Sequence, residues 1–346
     1  MKALLLILLA AVAAPLPQSA RAAAAPDDVA RYLAGMPVRG SAVETLSRGA
    51  EWVEHATFFD DAWAKLDRRQ LAPIRDWSAN YLGNPGDRSP VYYMFSGPDF
   101  LYAHAFFPNA SQYILCGTEP IGNVPDLSAI PPEALAFALA NLRKSLSSLL
   151  SWSFFITKDM KVDLRQNQLS GTLPVLMVFL ARSGCRIDAV ENVSAGKNAP
   201  GVQIRFTGRD GNAQILTYLS TDLSDGPVKS SGFLRYCAQF GQGRSLLKAA
   251  SYLMHEARFN SVREFLLAQS KVIVQDDSGI PLRYYDPARW QLRCFGAYLG
   301  PIDLFKQHYQ PGFAELYERS NPPPLPFGFG YQVQPTRSNV VLATPR

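Results

Sequence analysis

No cluster of lysines and arginines, no Cys-x-x-Cys pair, no His-Glu-x-x-His and no complete glycine-rich phosphate loop occur in this sequence of 346 residues. Each absence removes a class of function. The formal charge is +5 and falls to +3 without Lys2 and Arg21, so the chain has no electrostatic footprint for nucleic acid. Cys116, Cys185, Cys237 and Cys294 stand too far apart for a zinc ribbon or a dithiol redox motif. His255-Glu256 lacks the second histidine of a zinc helix, because position 259 is Phe259. No metal is expected. Beyond the first residues, the longest apolar run (173–181) suits a core helix, not the roughly 20 residues of a membrane span. There is no internal repeat and no long low-complexity linker.

What is present begins with the N-terminus. Lys2 gives a short positive region, residues 3–14 are unbrokenly apolar, and Ala20-Arg21-Ala22 offers the small residues of a cleavage site. Residues 1–22 are expected to be a cleaved export signal, with a membrane anchor as the alternative. No Cys lies near the cleavage region, which speaks against a lipoprotein. Removal of the signal would place residues 23–346 in the periplasm or outside the cell. An oxidising compartment makes disulfides among the four cysteines an option, with three two-bridge connectivities. Their apolar settings equally suit free cysteines packed as small hydrophobes.

The expected fold is α/β: one domain with a mixed sheet, a Rossmann-like β-α-β unit, and a helical N-terminal cap over about 26–82. Residues 91–122 carry the unit: an aromatic strand, Ser-Gly-Pro-Asp, a helix, a Pro-Asn turn, a second strand and an acid. Seven of the 16 residues from Tyr92 to Phe107 are aromatic, which reads first as core and second as a sugar-stacking platform. Helices are expected at 131–150 and 171–184, then strands at 185–193, 201–207 and 213–219. The last two are joined by Arg-Asp-Gly-Asn turn chemistry. Helices are expected across 232–270, including an amphipathic one over 246–257. A strand over 271–275 and a last helix over 301–318 follow.

Three segments carry candidate chemistry. Ser96 is placed to cap the helix that follows, with Asp99 three residues on as the acid of a capping box. A helix start at a strand end also attracts ligands. Glu119 lies 22 residues after Gly97, near the offset of a ribose-binding acid, although only one of the three expected glycines is present. A nucleotide or S-adenosylmethionine would be scarce outside the cytoplasm, so any likeness to dinucleotide folds extends to the fold before the ligand. Glu119 has no capping role, which marks it as the first residue to mutate. On the helix, Tyr102 shares the face of Asp99, while His104 lines up with Phe100 and Phe107 as a packed histidine. Within 246–257, Lys248, Ser251, Tyr252 and His255 share one face, either solvated or supplying a nucleophile and base. Asp276-Asp277-Ser278 ends a strand as turn chemistry, or as a cation-binding or general-base group. Only one of two adjacent acids on a strand faces a given cleft.

The segments FSGPDFLYA, GTEPIG, VIVQDDSGIP and FGFGY resemble a family of uncharacterised exported bacterial proteins, over most of the mature chain. That resemblance implies export and carries no activity, cofactor or catalytic residue. The leading expectation is binding of a small polar ligand by Ser96, Gly97, Asp99, Tyr102 and Glu119. The alternatives are an exported hydrolase using acids such as Asp99, Glu119 or Asp276, with His255 as a further catalytic candidate, and a non-enzymatic envelope protein that binds a protein partner.

Overall fold

Residues 91–94 and 113–116 are apolar at odd and even positions alike, the pattern of strands covered on both faces. The computed structural model describes residues 24–84, 86–152 and 168–346; the expected export signal lies outside them. Strand β1 (Val91–Tyr93) pairs in parallel with β2 (Gln112–Gly117) on one side and β6 (Gly243–Leu247) on the other. Strand β5 (Ala213–Ser220) extends the parallel set beyond β2, and β7 (Ser270–Gln275) extends it beyond β6. Across this parallel core the strands run third, second, first, fourth, fifth in chain order, the doubly wound arrangement.

Antiparallel additions flank the core. The strands β3 (Arg186–Ser194) and β4 (Pro200–Thr207) add to β5, with β4 and β5 forming the expected hairpin. At the other edge β9 (Asn339–Pro345) inserts between β7 and β8 (Trp290–Gly296), antiparallel to both. The result is a nine-stranded mixed α/β sheet among the described residues.

Alternate strand residues feed two cores. Tyr93, Tyr113, Leu115 and Leu246 face one; Tyr92, Met94, Ile114, Cys116 and Leu247 face the other. The N-terminal helices α1 (Pro26–Leu33), α2 (Ala50–Leu66) and α3 (Ala72–Tyr81) pack on the first face as a helical cap, beside α4 (Phe100–Phe106), α5 (Pro132–Trp152) and α6 (Leu173–Arg182). On the second face lie α7 (Asp225–Ser231), α8 (Phe233–Ala238) and α9 (Asn260–Gln269). Pro73 does not break the cap. Residues Asp67–Leu71 widen into a π-turn, in which the Ala72 amide reaches back to the Asp67 carbonyl. That widening absorbs the clash a proline makes with the preceding turn.

Two expectations are corrected, and one strand is added. Helix does not run through 232–270: α8 ends at Ala238 and residues 243–247 are the fully buried strand β6. The strand Trp290–Gly296 had no counterpart in the sequence reading. The last helix, α10 (Pro311–Ser320), starts ten residues later than expected, after a 3-10 turn at Asp303–His308. All four cysteines are free and buried. No helix among the described residues is long and apolar enough to cross a membrane.

Candidate functional site

Strand order reverses between β1 and β6, and a crevice opens there at the carboxyl ends of the strands, the usual ligand position in such sheets. A cavity of about 330 Å3 occupies it. Its walls are the segment after β1 (Tyr93, Phe95, Ser96, Gly97, Asp99), the end of β2 (Gly117, Thr118, Glu119) and the loop after β6 (Lys248 to Ser251, with Leu253).

On the β1 side, Asp99 and not Ser96 caps α4. Its Oδ1 accepts the Tyr102 amide at 3.4 Å. Its Oδ2 takes two further donors, the Lys248 ammonium at 2.7 Å and the Tyr93 hydroxyl at 2.9 Å. Both members of this ion pair are almost fully buried, with side-chain exposures of 2% and 3%. Lys248 Nζ also lies 4.0 Å from the centre of the Tyr102 ring. Tyr102 is thus a platform beneath the lysine and does not line the cavity, contrary to its expected place among ligand-binding groups. Ser96 has a different task from capping. Its hydroxyl accepts the Cys116 amide at 3.2 Å and joins the β1 end to β2.

On the β2 side, Glu119 is 3% exposed. Its Oε2 accepts the Thr118 amide at 3.0 Å and the Tyr218 hydroxyl at 3.1 Å. Oε1 receives no hydrogen bond, and no cationic side chain pairs with the carboxylate, among the described residues. Burial, and then the Glu119 charge, push the Tyr218 hydroxyl well above its ordinary range, so it remains a donor. Gly117 is required by this arrangement: a Cβ there would collide with Glu119 Oε2, with the Gly97 backbone and with the Tyr218 hydroxyl.

The loop after β6 is held open by side chains from elsewhere. Three successive amides leave it. Ala249 donates to Asp276 Oδ2 (3.3 Å), Ala250 to Ser278 Oγ (2.8 Å) and Ser251 to the Tyr331 hydroxyl (3.0 Å), which itself donates to the Ala249 carbonyl (2.9 Å). The backbone is left-handed at Ala249, Ser251 and Tyr252, with φ of 50°, 52° and 56°. Phe95, across the cavity, has φ of 60°. The other two left-handed non-glycine residues described are asparagines, which tolerate that region, so backbone strain concentrates at the cavity.

The four candidate catalytic residues do not share this cavity. Asp99 and Glu119 line it. Asp276 stands behind Ala249, where burial and the adjacent Asp277 raise its carboxyl to about 7. Asp277 lies in the turn after β7, points elsewhere, and accepts the Tyr252 hydroxyl (2.6 Å) and the Asn339 side-chain amide (3.0 Å). His255 belongs to a 3-10 turn, not an amphipathic helix, and packs against Tyr252 and His308; burial lowers it to about 4. His104 is packed on Phe100 and likewise lowered to about 4 by burial.

Lys248 and Tyr218 were missed as partners of Asp99 and Glu119. Nothing local marks either pairing, since each residue meets its acid only through sheet pairing. Among the described residues no group of three or more His, Cys, Asp or Glu is placed to hold a metal ion. No family model matches the chain, and neither a curated protein nor a solved structure shows significant similarity to it.

Proposed function

We propose that this is an exported protein that binds a small polar ligand in the crevice between β1, β2 and β6, with Glu119 as the principal contact. One observation carries the reading. Glu119 is a buried carboxylate in a cavity wall, with one oxygen satisfied by the protein and the other left without a donor among the described residues. Glu119 lines the cavity, so that open oxygen is an acceptor that a donor from a ligand can meet. The strained loops on either side fit the same reading, because strain of this kind persists where a site requires it.

Hydrolysis by paired carboxylates has less support, since Asp99 is committed to Lys248, Tyr93 and the start of α4. The deciding experiment is thermal stabilisation of the purified protein by a panel of sugars, nucleosides, nucleotides, anions, amines and divalent metals. At least one class should raise the melting temperature of the wild type and leave Glu119→Gln unmoved. A panel that stabilises neither protein removes the reading.

A further inference from the structure

We infer that the ligand is free of phosphate and presents two neighbouring hydroxyl groups to Glu119, as a sugar or a nucleoside does. The inference rests on the ligand-binding reading above and adds the chemistry of the ligand.

The place where a doubly wound sheet ordinarily holds phosphate is already filled. A phosphate would seek the free amides and positive end of the helix after β1. Here Asp99 caps that helix and accepts the Tyr102 amide, and Lys248, the one cation among the described residues of the cavity wall, is paired with Asp99 at 2.7 Å. With Asp99, Glu119 and Lys248 as the charged side chains among its described residues, the cavity has one formal negative charge in excess. An anion entering it meets repulsion and, among the described residues, no unpaired cation.

The remaining polar groups ask for hydroxyls. An ionised carboxylate offers about four lone-pair sites. Thr118 and Tyr218, whose single O–H is shared with the Glu119 carbonyl at the same 3.1 Å, both meet Oε2, so Oε1 is open to donors from a ligand. Lys248 has three N–H groups, of which one reaches Asp99 and another direction is taken by the Tyr102 ring face. Its third N–H has no hydrogen-bond partner among the described residues, and Lys248 lines the same cavity. A hydroxyl both donates and accepts, and so serves an acceptor-only and a donor-only group together. A cation satisfies Glu119 but faces the ammonium.

Size and shape agree. At about 330 Å3 the cavity lies at the small end of ligand sites. Phe95, Ala250 and Leu253 give it an apolar wall suited to the face of a sugar ring or a base.

The test is calorimetric titration of the full-length protein with adenosine, methyl glucoside, their monophosphates, the analogues lacking the vicinal hydroxyls, and choline. Adenosine against methyl glucoside separates a nucleoside from a free sugar. The expected result is that one of these two binds, that its phosphate is at least about tenfold weaker for want of an unpaired cation, and that loss of the hydroxyl pair costs about 100-fold or more because buried polar groups are stranded. Glu119→Gln should weaken binding while its melting temperature stays close to wild type. The comparison of ligands on the wild type stands even if that variant folds poorly. A phosphate that binds as tightly as its parent, a hydroxyl-free analogue within tenfold, or choline as the sole binder overturns the inference. In those cases the ligand-binding reading survives. If none of these compounds binds, the inference falls; if the wider panel also leaves the melting temperature unmoved, the ligand-binding reading falls with it.

Discussion

A carboxylate and an ammonium that both leave water must be compensated by each other, and Asp99 and Lys248 do so at 2.7 Å with the Tyr93 hydroxyl and the Tyr102 amide sharing the charge. Removing one partner strands the other. Lys248→Met should therefore cost about 3–5 kcal/mol in urea unfolding, and Lys248→Met combined with Asp99→Asn should recover much of it. A single variant that unfolds like wild type would show that the pair is not held as described. Asp276 gives a second test at the same scale. Its carboxyl is raised to about 7 by burial, with Asp277 adding to the effect. The folded state thus keeps a proton that the unfolded chain, with an ordinary value near 4, releases. Stability from this group is full below about pH 4 and is lost as pH rises towards 7. Buried His255, His104 and His55, each lowered to about 4, act in the opposite direction as pH falls from 6.5. The clean measurement is the difference between proteins. Asp276→Asn should gain on wild type between pH 4 and pH 7 and then hold level, and a flat difference would refute the assignment.

At the scale of elements, the sequence was legible where periodicity and turn chemistry agree. Residues 91–122 read as strand, helix and strand, and Asn212 with its neighbours in the 209–212 turn joins β4 to β5. It was misleading at 246–257. Leu246, Leu247, Ala250, Leu253 and Met254 fall at helical spacing, yet the first two end a buried strand and the rest lie in a left-handed loop and a 3-10 turn. A five-residue buried strand has no alternation to announce it, so a few apolar residues beyond its end complete a false helical stripe. The cost falls on the site, because a helical reading puts Lys248 on a polar helix face with Ser251, Tyr252 and His255 and not beside Asp99. What fixes the loop instead is distant in sequence: Asp276, Ser278 and Tyr331 accept its three amides. Tyr331→Phe removes one acceptor and the donor to the Ala249 carbonyl. It should lower stability by about 1–2 kcal/mol and speed hydrogen exchange at Ala249 to Ser251 while exchange in β1 and β2 stays slow. Unchanged exchange in the loop would show that Tyr331 does not hold it.

For the molecule as a whole, strand order and chain order part company at the C-terminus. The strand β9 comes last in the chain but lies within the sheet, between β7 and β8, with Val340, Val341 and Ala343 at 0% exposure. Asn339, its first residue, also receives the Asp277 amide on its side-chain oxygen (2.8 Å) and so supports the turn that ends β7. The apolar run at 340–343 was visible in the sequence, but nothing local said that it fills an interior position. That follows only from pairing with two strands formed earlier in the chain. Without it, β7 becomes an open apolar edge and β8 loses its partner, a combination that favours aggregation. A chain ending at Ser338 should therefore fail to give a soluble, cooperatively unfolding protein, whereas one lacking only Pro345 and Arg346 should melt within a few degrees of the full chain. Circular dichroism melting and size-exclusion chromatography of the two truncations distinguish the outcomes. If the shorter chain folded and melted as the longer one does, β9 would be an accessory strand, and the sheet would have to be complete without it.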